Sequence, residues 1–248
     1  MKNIEYNLTI IENRQLSPRT FLLRLDAPEG LIEKPGQFVN IAVDGKFLRR
    51  PISVCDFSRG ILTLLYDVVG DGTRIMSQWR PGHSVNLLAP LGNGFDTSRS
   101  SDSPLLIGGG IGIAPLYMLG KALIEEGKRP VAILGFNTGS DVVWTDEFRE
   151  AGIPVFITTA NGEVGEKGFV TDSKEFHNPK HTYFYACGPM PMLKALGKSS
   201  LGQGELSLDE RMACGFGICR CCTLPTKSGP KQICKDGPVF RKEEIIWD

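Results

Sequence analysis

The chain has 248 residues, 28 Lys and Arg against 28 Asp and Glu, 41% hydrophobic residues and 23% charged ones. That length holds one large domain or two small ones around a sizeable core, and the composition excludes a disordered chain. A net charge of zero removes the bulk attraction that nucleic acid or an anionic membrane requires, so neither is expected as a partner.

The stretch 1–11 carries Glu5 and Asn7 and lacks the apolar run of a signal peptide. From Tyr6 to Phe95 the text reads as short strands, among them Thr20–Leu25, Gln37–Val43, Ile61–Val69 and Ser84–Leu88. Turn signals such as Pro28-Glu29-Gly30, Pro35-Gly36, Asp44-Gly45 and Pro81-Gly82 separate them. One brief helix is expected after Gly72. The pattern predicts a small β-barrel or sandwich over residues 1–98. Asn93 to Ser103 is polar and reads as a linker.

From Pro104 strands and helices alternate, which predicts an α/β domain with a parallel sheet over residues 103–200. The expected strands are Leu105–Ile107, Val131–Phe136, Val155–Thr159 and Thr182–Ala186; the helices are Ala114–Glu126, Thr145–Ala151 and Pro191–Lys198. Ser103 to Gly120 carries no charge, but its five glycines and two prolines fit strand, loop and helix rather than a membrane span. Residues 201–248 return to irregular, cysteine-rich text and read as a small metal-bearing segment. His83, His177 and His181 sit in loop-like text and are expected at the surface.

The cysteines carry the strongest signal. Cys55 and Cys187 stand alone, whereas Cys214, Cys219, Cys221, Cys222 and Cys234 cluster near the C-terminus. An odd count of seven without a secretory signal favours a metal site over disulfides and a cytoplasmic protein. Cys214, Cys219, Cys222 and Cys234 follow the C-x4-C-x2-C…C spacing of a plant-type [2Fe–2S] site. Structural zinc is the alternative, although zinc sites usually show two close pairs and Cys234 has no near partner in sequence. Cys221 is surplus.

Three other motifs point to nucleotides. Arg50-Pro51-Ile52-Ser53 offers a guanidinium fork for a phosphate and a hydroxyl beside it; the plain reading is a solvated Arg at a strand start. Further on, Tyr66 can stack on a flat ring, and Gly72-Thr73 opens a short helix. Gly109, Gly110 and Gly112 lie between a strand and a helix, where a pyrophosphate would sit, though the loop is not G-x-G-x-x-G and close packing would also use glycine. Cys187-Gly188-Pro189 ends a strand where open sheets bind ligands; a small buried residue is the alternative there. Phe136-Asn137-Thr138-Gly139-Ser140-Asp141 holds no basic residue for a 2′-phosphate, which predicts NAD(H) over NADP(H).

These motifs stand in the order found in the ferredoxin–NADP⁺ reductase-like flavoproteins, which the chain resembles. The tail, Arg211-Met212-Ala213-Cys214-Gly215 through Cys234-Lys235-Asp236-Gly237-Pro238-Val239-Phe240, is similar to that of the electron-transfer subunits of class B, NAD-dependent dihydroorotate dehydrogenases. The resemblance implies an FAD-binding barrel, an NAD-binding α/β domain and a [2Fe–2S] segment. It implies that Arg50, Pro51, Ile52, Ser53, Leu65, Tyr66, Asp67, Gly72 and Thr73 hold FAD. Gly109, Gly110, Gly112, Cys187, Gly188 and Pro189 would meet NAD, and the four spaced cysteines the cluster. Asp67, Ala160-Asn161 and Cys221 depart from the family's usual residues. The implied partner is an FMN-containing dihydroorotate dehydrogenase subunit, two of each chain forming a heterotetramer in pyrimidine (UMP) biosynthesis. No acid–base pair is expected in this chain. A flavin alone among common cofactors trades hydride for single electrons, so it would link cluster to NAD⁺. Two other readings are a sulfide dehydrogenase or NADH–ferredoxin oxidoreductase small subunit, and a zinc-bearing interaction module.

Overall fold

The computed structural model describes residues 5–247. Six strands open the chain: β1 (Glu5–Gln15), β2 (Thr20–Asp26), β3 (Phe38–Ile41), β4 (Arg50–Ser58), β5 (Ile61–Asp67) and β6 (Ser84–Leu91). They close a barrel in the order β1-β2-β5-β4-β3-β6. Closure leaves no edge strand, and alternate residues such as Leu23, Leu25, Leu62 and Leu64 fill the interior. Helix α1 (Asp71–Met76) bridges β5 and β6, where the brief helix was expected.

The second half is a seven-stranded sheet in the order β10-β9-β8-β7-β11-β12-β15. Along the chain run β7 (Leu105–Gly109), α2 (Ala114–Glu125), β8 (Val131–Phe136), α3 (Thr145–Glu150), β9 (Val155–Thr159), β10 (Glu166–Lys167), β11 (Tyr183–Cys187), α4 (Met190–Lys198) and β12 (Gln203–Ser207). There follow a β13 (Thr223–Thr226) and β14 (Gly229–Gln232) hairpin, α5 (Ile233–Asp236) and β15 (Val239–Arg241). The sheet is parallel except for β15, which pairs antiparallel with β12. Strands β7 and β8 are apolar on both faces because helices cover both. Pro115 enters α2 in its first turn, where a missing N–H costs nothing, and Gly127 leaves it at φ +79°. Among the described residues no helix is long and apolar enough to cross a membrane.

Two expectations need correction. Residues 201–248 are not simply irregular: β12 and β15 extend the nucleotide-type sheet, and the cysteine loops hang between them. Gln203-Gly204-Glu205 carries a charge and a glycine, so no apolar run announces the strand; pairing with β11 makes it one. His181 is buried rather than exposed: its Nδ1 lies 2.9 Å from the Ser103 carbonyl and its Nε2 2.7 Å from Glu175 Oε1.

Strand β12 also buries Glu205, which accepts the Asp96 N–H at 2.9 Å. Burial pushes its carboxyl up to about 7, against the pull of that N–H. A carboxyl with a raised folded pKa binds its proton more tightly in the folded chain. Its contribution is complete below the ordinary carboxylate range and is lost as pH climbs through about 7. The Tm should therefore fall from about pH 5 to about pH 8, and Glu205→Gln, neutral throughout, should flatten part of that fall. Melting curves at stepped pH check this; identical slopes for the two proteins would refute it.

Candidate functional site

A cavity of about 540 Å³ lies between barrel and sheet. Arg50, Pro51, Ile52 and Ser53 of β4, Leu65, Tyr66 and Asp67 of β5, and Thr73 of α1 form its barrel side. Gly109, Gly110, Gly112, Cys187, Gly188 and Pro189 face them from the sheet. The two sets, far apart in sequence, thus meet across one cleft.

Gly72 lies beneath rather than in the wall: the Arg50 guanidinium crosses the start of α1 here, and a Cβ would sit 2.2 Å from its Nε and make the side chain shift. Arg50 Nη1 also donates to the Leu48 carbonyl. The Thr73 hydroxyl is used in the turn, accepting the Val69 N–H at 2.9 Å and the Gly70 N–H at 3.3 Å. Tyr66 is less available for stacking than expected. Its ring is 1% exposed and stacks on Phe21, and its hydroxyl donates to Asn13 Oδ1 at 3.1 Å. Asp67 is neutralised in place: Thr20 Oγ1 donates to it at 2.7 Å, and Arg19 Nη2 pairs with it at 3.0 Å. The Cys187 thiol is pushed up to about 12 by burial and stays protonated.

A second cavity of about 390 Å³ opens over the carboxyl ends of β7, β8 and β9. Gly109 and Gly110 border both cavities, as do Arg19 and Asp67. Gly112 serves packing as well, since a Cβ there would lie 2.4 Å from the Cys187 carbonyl oxygen. Thr158, Phe169 and Met192 line the second cavity and are absent from the sequence-based site. The Thr158 hydroxyl is fully buried with no hydrogen-bond partner, which fits a polar ligand group in this space. Arg19 was equally invisible: only the β2–β5 register, pairing Thr20 with Asp67, brings it to the cleft.

The spaced cysteines form two pairs. The Cys219 N–H points at Cys214 Sγ at 3.5 Å, and the Cys234 N–H at Cys222 Sγ at 3.4 Å. Burial works to raise the Cys214 thiol, but N–H groups of Cys219, Phe216 and Ile218 outweigh it and bring the thiol down to about 6. Burial and the neighbouring Cys222 push Cys234 up to about 12. Among the described residues no three metal-ligating side chains close on a single-ion site. The C-x4-C-x2-C…C spacing, with N–H groups turned toward the sulfurs, suits an iron–sulfur cluster. Cys221 is exposed. Met212 and Pro238, from the two ends of this segment, wall the larger cavity.

A barrel facing a parallel sheet across one cleft, with a cysteine segment in its wall, defines a reductase of the ferredoxin–NADP⁺ reductase type, built for a flavin beside a pyridine nucleotide. The iron–sulfur cluster binding domain of dihydroorotate dehydrogenase B matches residues 209–246, and the oxidoreductase NAD-binding domain matches 106–198. The dihydroorotate dehydrogenase B (NAD(+)) electron transfer subunit of Fusobacterium nucleatum is 39% identical, over 96% of this chain and 96% of its own length. That of Geobacillus thermodenitrificans is 40% identical, over 96% and 97%. The chain belongs to this family of electron transfer subunits, and its cofactors are FAD, an iron–sulfur cluster and NAD. Among solved structures, an NADH-dependent reduced ferredoxin-NADP oxidoreductase studied for flavin-based electron bifurcation superposes with TM-score 0.88 at 32% identity. It covers 100% of this chain and 92% of its own. A ferredoxin NADP⁺ reductase from Neisseria gonorrhoeae with bound FAD and NADP shares the fold at 19% identity, with TM-score 0.65, over 78% and 89%.

Serine at Cys214, Cys219, Cys222 or Cys234 is expected to empty or destabilise the iron site, whereas Cys221→Ser keeps it. Iron content and visible absorption decide; iron lost in Cys221→Ser but kept in Cys222→Ser would overturn the ligand set.

Proposed function

We propose that the chain takes electrons from an FMN-containing dihydroorotate dehydrogenase subunit and delivers them to NAD⁺ in UMP biosynthesis. The observation that carries this is the shared cleft: flavin-type and nucleotide-type residues face each other, and the cysteine segment forms part of the wall. In this reading residues 1–98 serve FAD, 103–200 serve NAD and 201–248 carry a [2Fe–2S] cluster. The complex is a cytoplasmic heterotetramer of two of each chain.

Bound FAD accepts electron pairs as hydride and releases them singly, which couples NAD to the cluster. The chain's own residues bind and orient. Arg50, which crosses Gly72, would hold the FAD phosphates. Ser53 and the Leu65–Asp67 strand line the same cavity and would hold the flavin. Gly109, Gly110 and Gly112 let the pyridine nucleotide approach, with Cys187-Gly188-Pro189 at the meeting point. Cys187 remains a neutral thiol there and takes no proton from substrate. Asp67 is committed to Arg19 and Thr20. The Asp209 carboxyl also lines the cleft, raised by burial; in this reading chemistry on dihydroorotate belongs to the partner.

A second reading is an NADH–ferredoxin type oxidoreductase subunit, and the likeness to the bifurcating enzyme over the whole chain favours it specifically. A sulfide dehydrogenase small subunit is a variant of that reading. Reconstitution separates them. Mixed with an FMN dihydroorotate dehydrogenase subunit, the chain should give NADH from dihydroorotate and NAD⁺; alone, it should only oxidise NADH with artificial acceptors. Failure to bind any such subunit moves the assignment to the second reading. NADH should be preferred to NADPH in steady-state assays, because Asp141 and Glu163 flank the loop where a 2′-phosphate would lie, Glu163 accepting the Gly139 N–H at 2.7 Å. Arg50→Ala should weaken FAD by about 1.5–3 kcal/mol, roughly ten- to a hundredfold. Unchanged flavin content after dilution and gel filtration would remove Arg50 from this role.

A further inference from the structure

Two asparagines of the barrel reach into the cysteine segment, and neither belongs to a motif discussed above. Asn40 lies on β3, opposite Pro51 of β4, two residues from the cavity-lining Phe38. It is 1% exposed, and its Nδ2 donates to the Cys214 carbonyl at 3.3 Å. Its Oδ1 is buried without a partner. An apolar side chain would pack there without that penalty, so simple packing does not account for the amide. Gly215 records the same contact from the other side: it turns at φ +80°, and a Cβ would lie 2.4 Å from Asn40 Nδ2.

Asn93, just past β6, holds the other end. Its Nδ2 donates to the carbonyls of Asp236 at 3.1 Å and Val239 at 2.9 Å. Its Oδ1 accepts the Val239 N–H at 3.1 Å, and its own N–H donates to the Gly237 carbonyl at 2.7 Å. Pro238, inside this grip, reaches the cavity wall and would touch a Cβ on Gly92 at 2.5 Å.

We propose that Asn40 and Asn93 are positioning residues that clamp the cluster-bearing segment to the FAD barrel at its two ends, so that the barrel sets the spacing between cluster and flavin. Strands β12 and β15 join the segment to the nucleotide sheet; the asparagines tie it to the other domain. Outer groups that orient a metal site typically change affinity or activity about 10–100-fold when removed. The proposal rests on the reading that the four spaced cysteines hold the cluster and the Arg50 cavity holds FAD.

The test uses the cofactor-loaded full chain, with Asn40→Leu and Asn93→Ala. NADH delivers a hydride, two electrons, to the flavin and leaves as NAD⁺; one electron then reduces one ferric ion of the cluster to ferrous and the second stays on the flavin. Stopped-flow bleaching follows the first event and freeze-quench EPR the second. Both variants should keep FAD, iron and the rate of flavin bleaching, while cluster reduction slows about tenfold or more. Cluster reduction at the wild-type rate overturns the proposal. So does loss of iron with FAD retained, which would make the asparagines mere supports of the ligand loop. If Asn40→Leu fails to fold, Asn93→Ala, at a more exposed position, decides alone. Failure of the underlying reading looks different: wild-type protein without a reducible cluster signal, or with one that survives Cys214→Ser and Cys234→Ser.

Discussion

Helix α2 is buried between the barrel strand β4 and the parallel sheet, and the cleft exists because of that burial. Leu116, Leu119 and Leu123 share one core with Leu22, Cys55 and Leu65 of the barrel and with Leu106 and Leu134 of the sheet. Lys121 adds direction, donating to both carboxylate oxygens of Asp56 at 2.9 Å. Barrel and sheet are therefore not beads on a linker. The glycine loop that opens the helix is held at a fixed distance from Arg50 and Tyr66, which is what two cofactors exchanging electrons require. Cys55 belongs to this joint: burial raises its thiol well above the ordinary range, so it behaves as a small apolar residue.

Much of this was legible in the sequence where the signal is local. Val131–Phe136 and Val155–Thr159 were placed to the residue, because short apolar runs bounded by Gly, Pro and charge leave few alternatives. The cysteine spacing is local as well, and so are the glycines after β7. What stayed hidden is what depends on pairing at a distance. Glu205 sits in a strand only because β11 and β15 flank it. Arg19 reaches the cleft through the β2–β5 register, and Thr158 through the order of strands rather than its neighbours. His181 looked exposed between Lys180 and Thr182, yet Ser103 and Glu175 close over it.

The Arg19–Asp67 pair sits where the two cavities adjoin. Asp67 would otherwise place an unpaired negative charge beside anionic nucleotides. Arg19, half exposed, cancels that charge and leaves its guanidinium near Gly110. The charge of Asp67 is thus matched by neighbours rather than by a change in the cavity.

The wall made by Met212 and Pro238 has a consequence for biosynthesis. A chain emerging from the ribosome completes its barrel and most of its sheet before either residue exists. Until β15 docks on β12, the cavity lacks the side that Pro238 provides. Docking of β15 on β12 is thus the step that closes this flank of the cavity. The same few residues therefore complete the cavity wall and anchor the end of the cysteine segment.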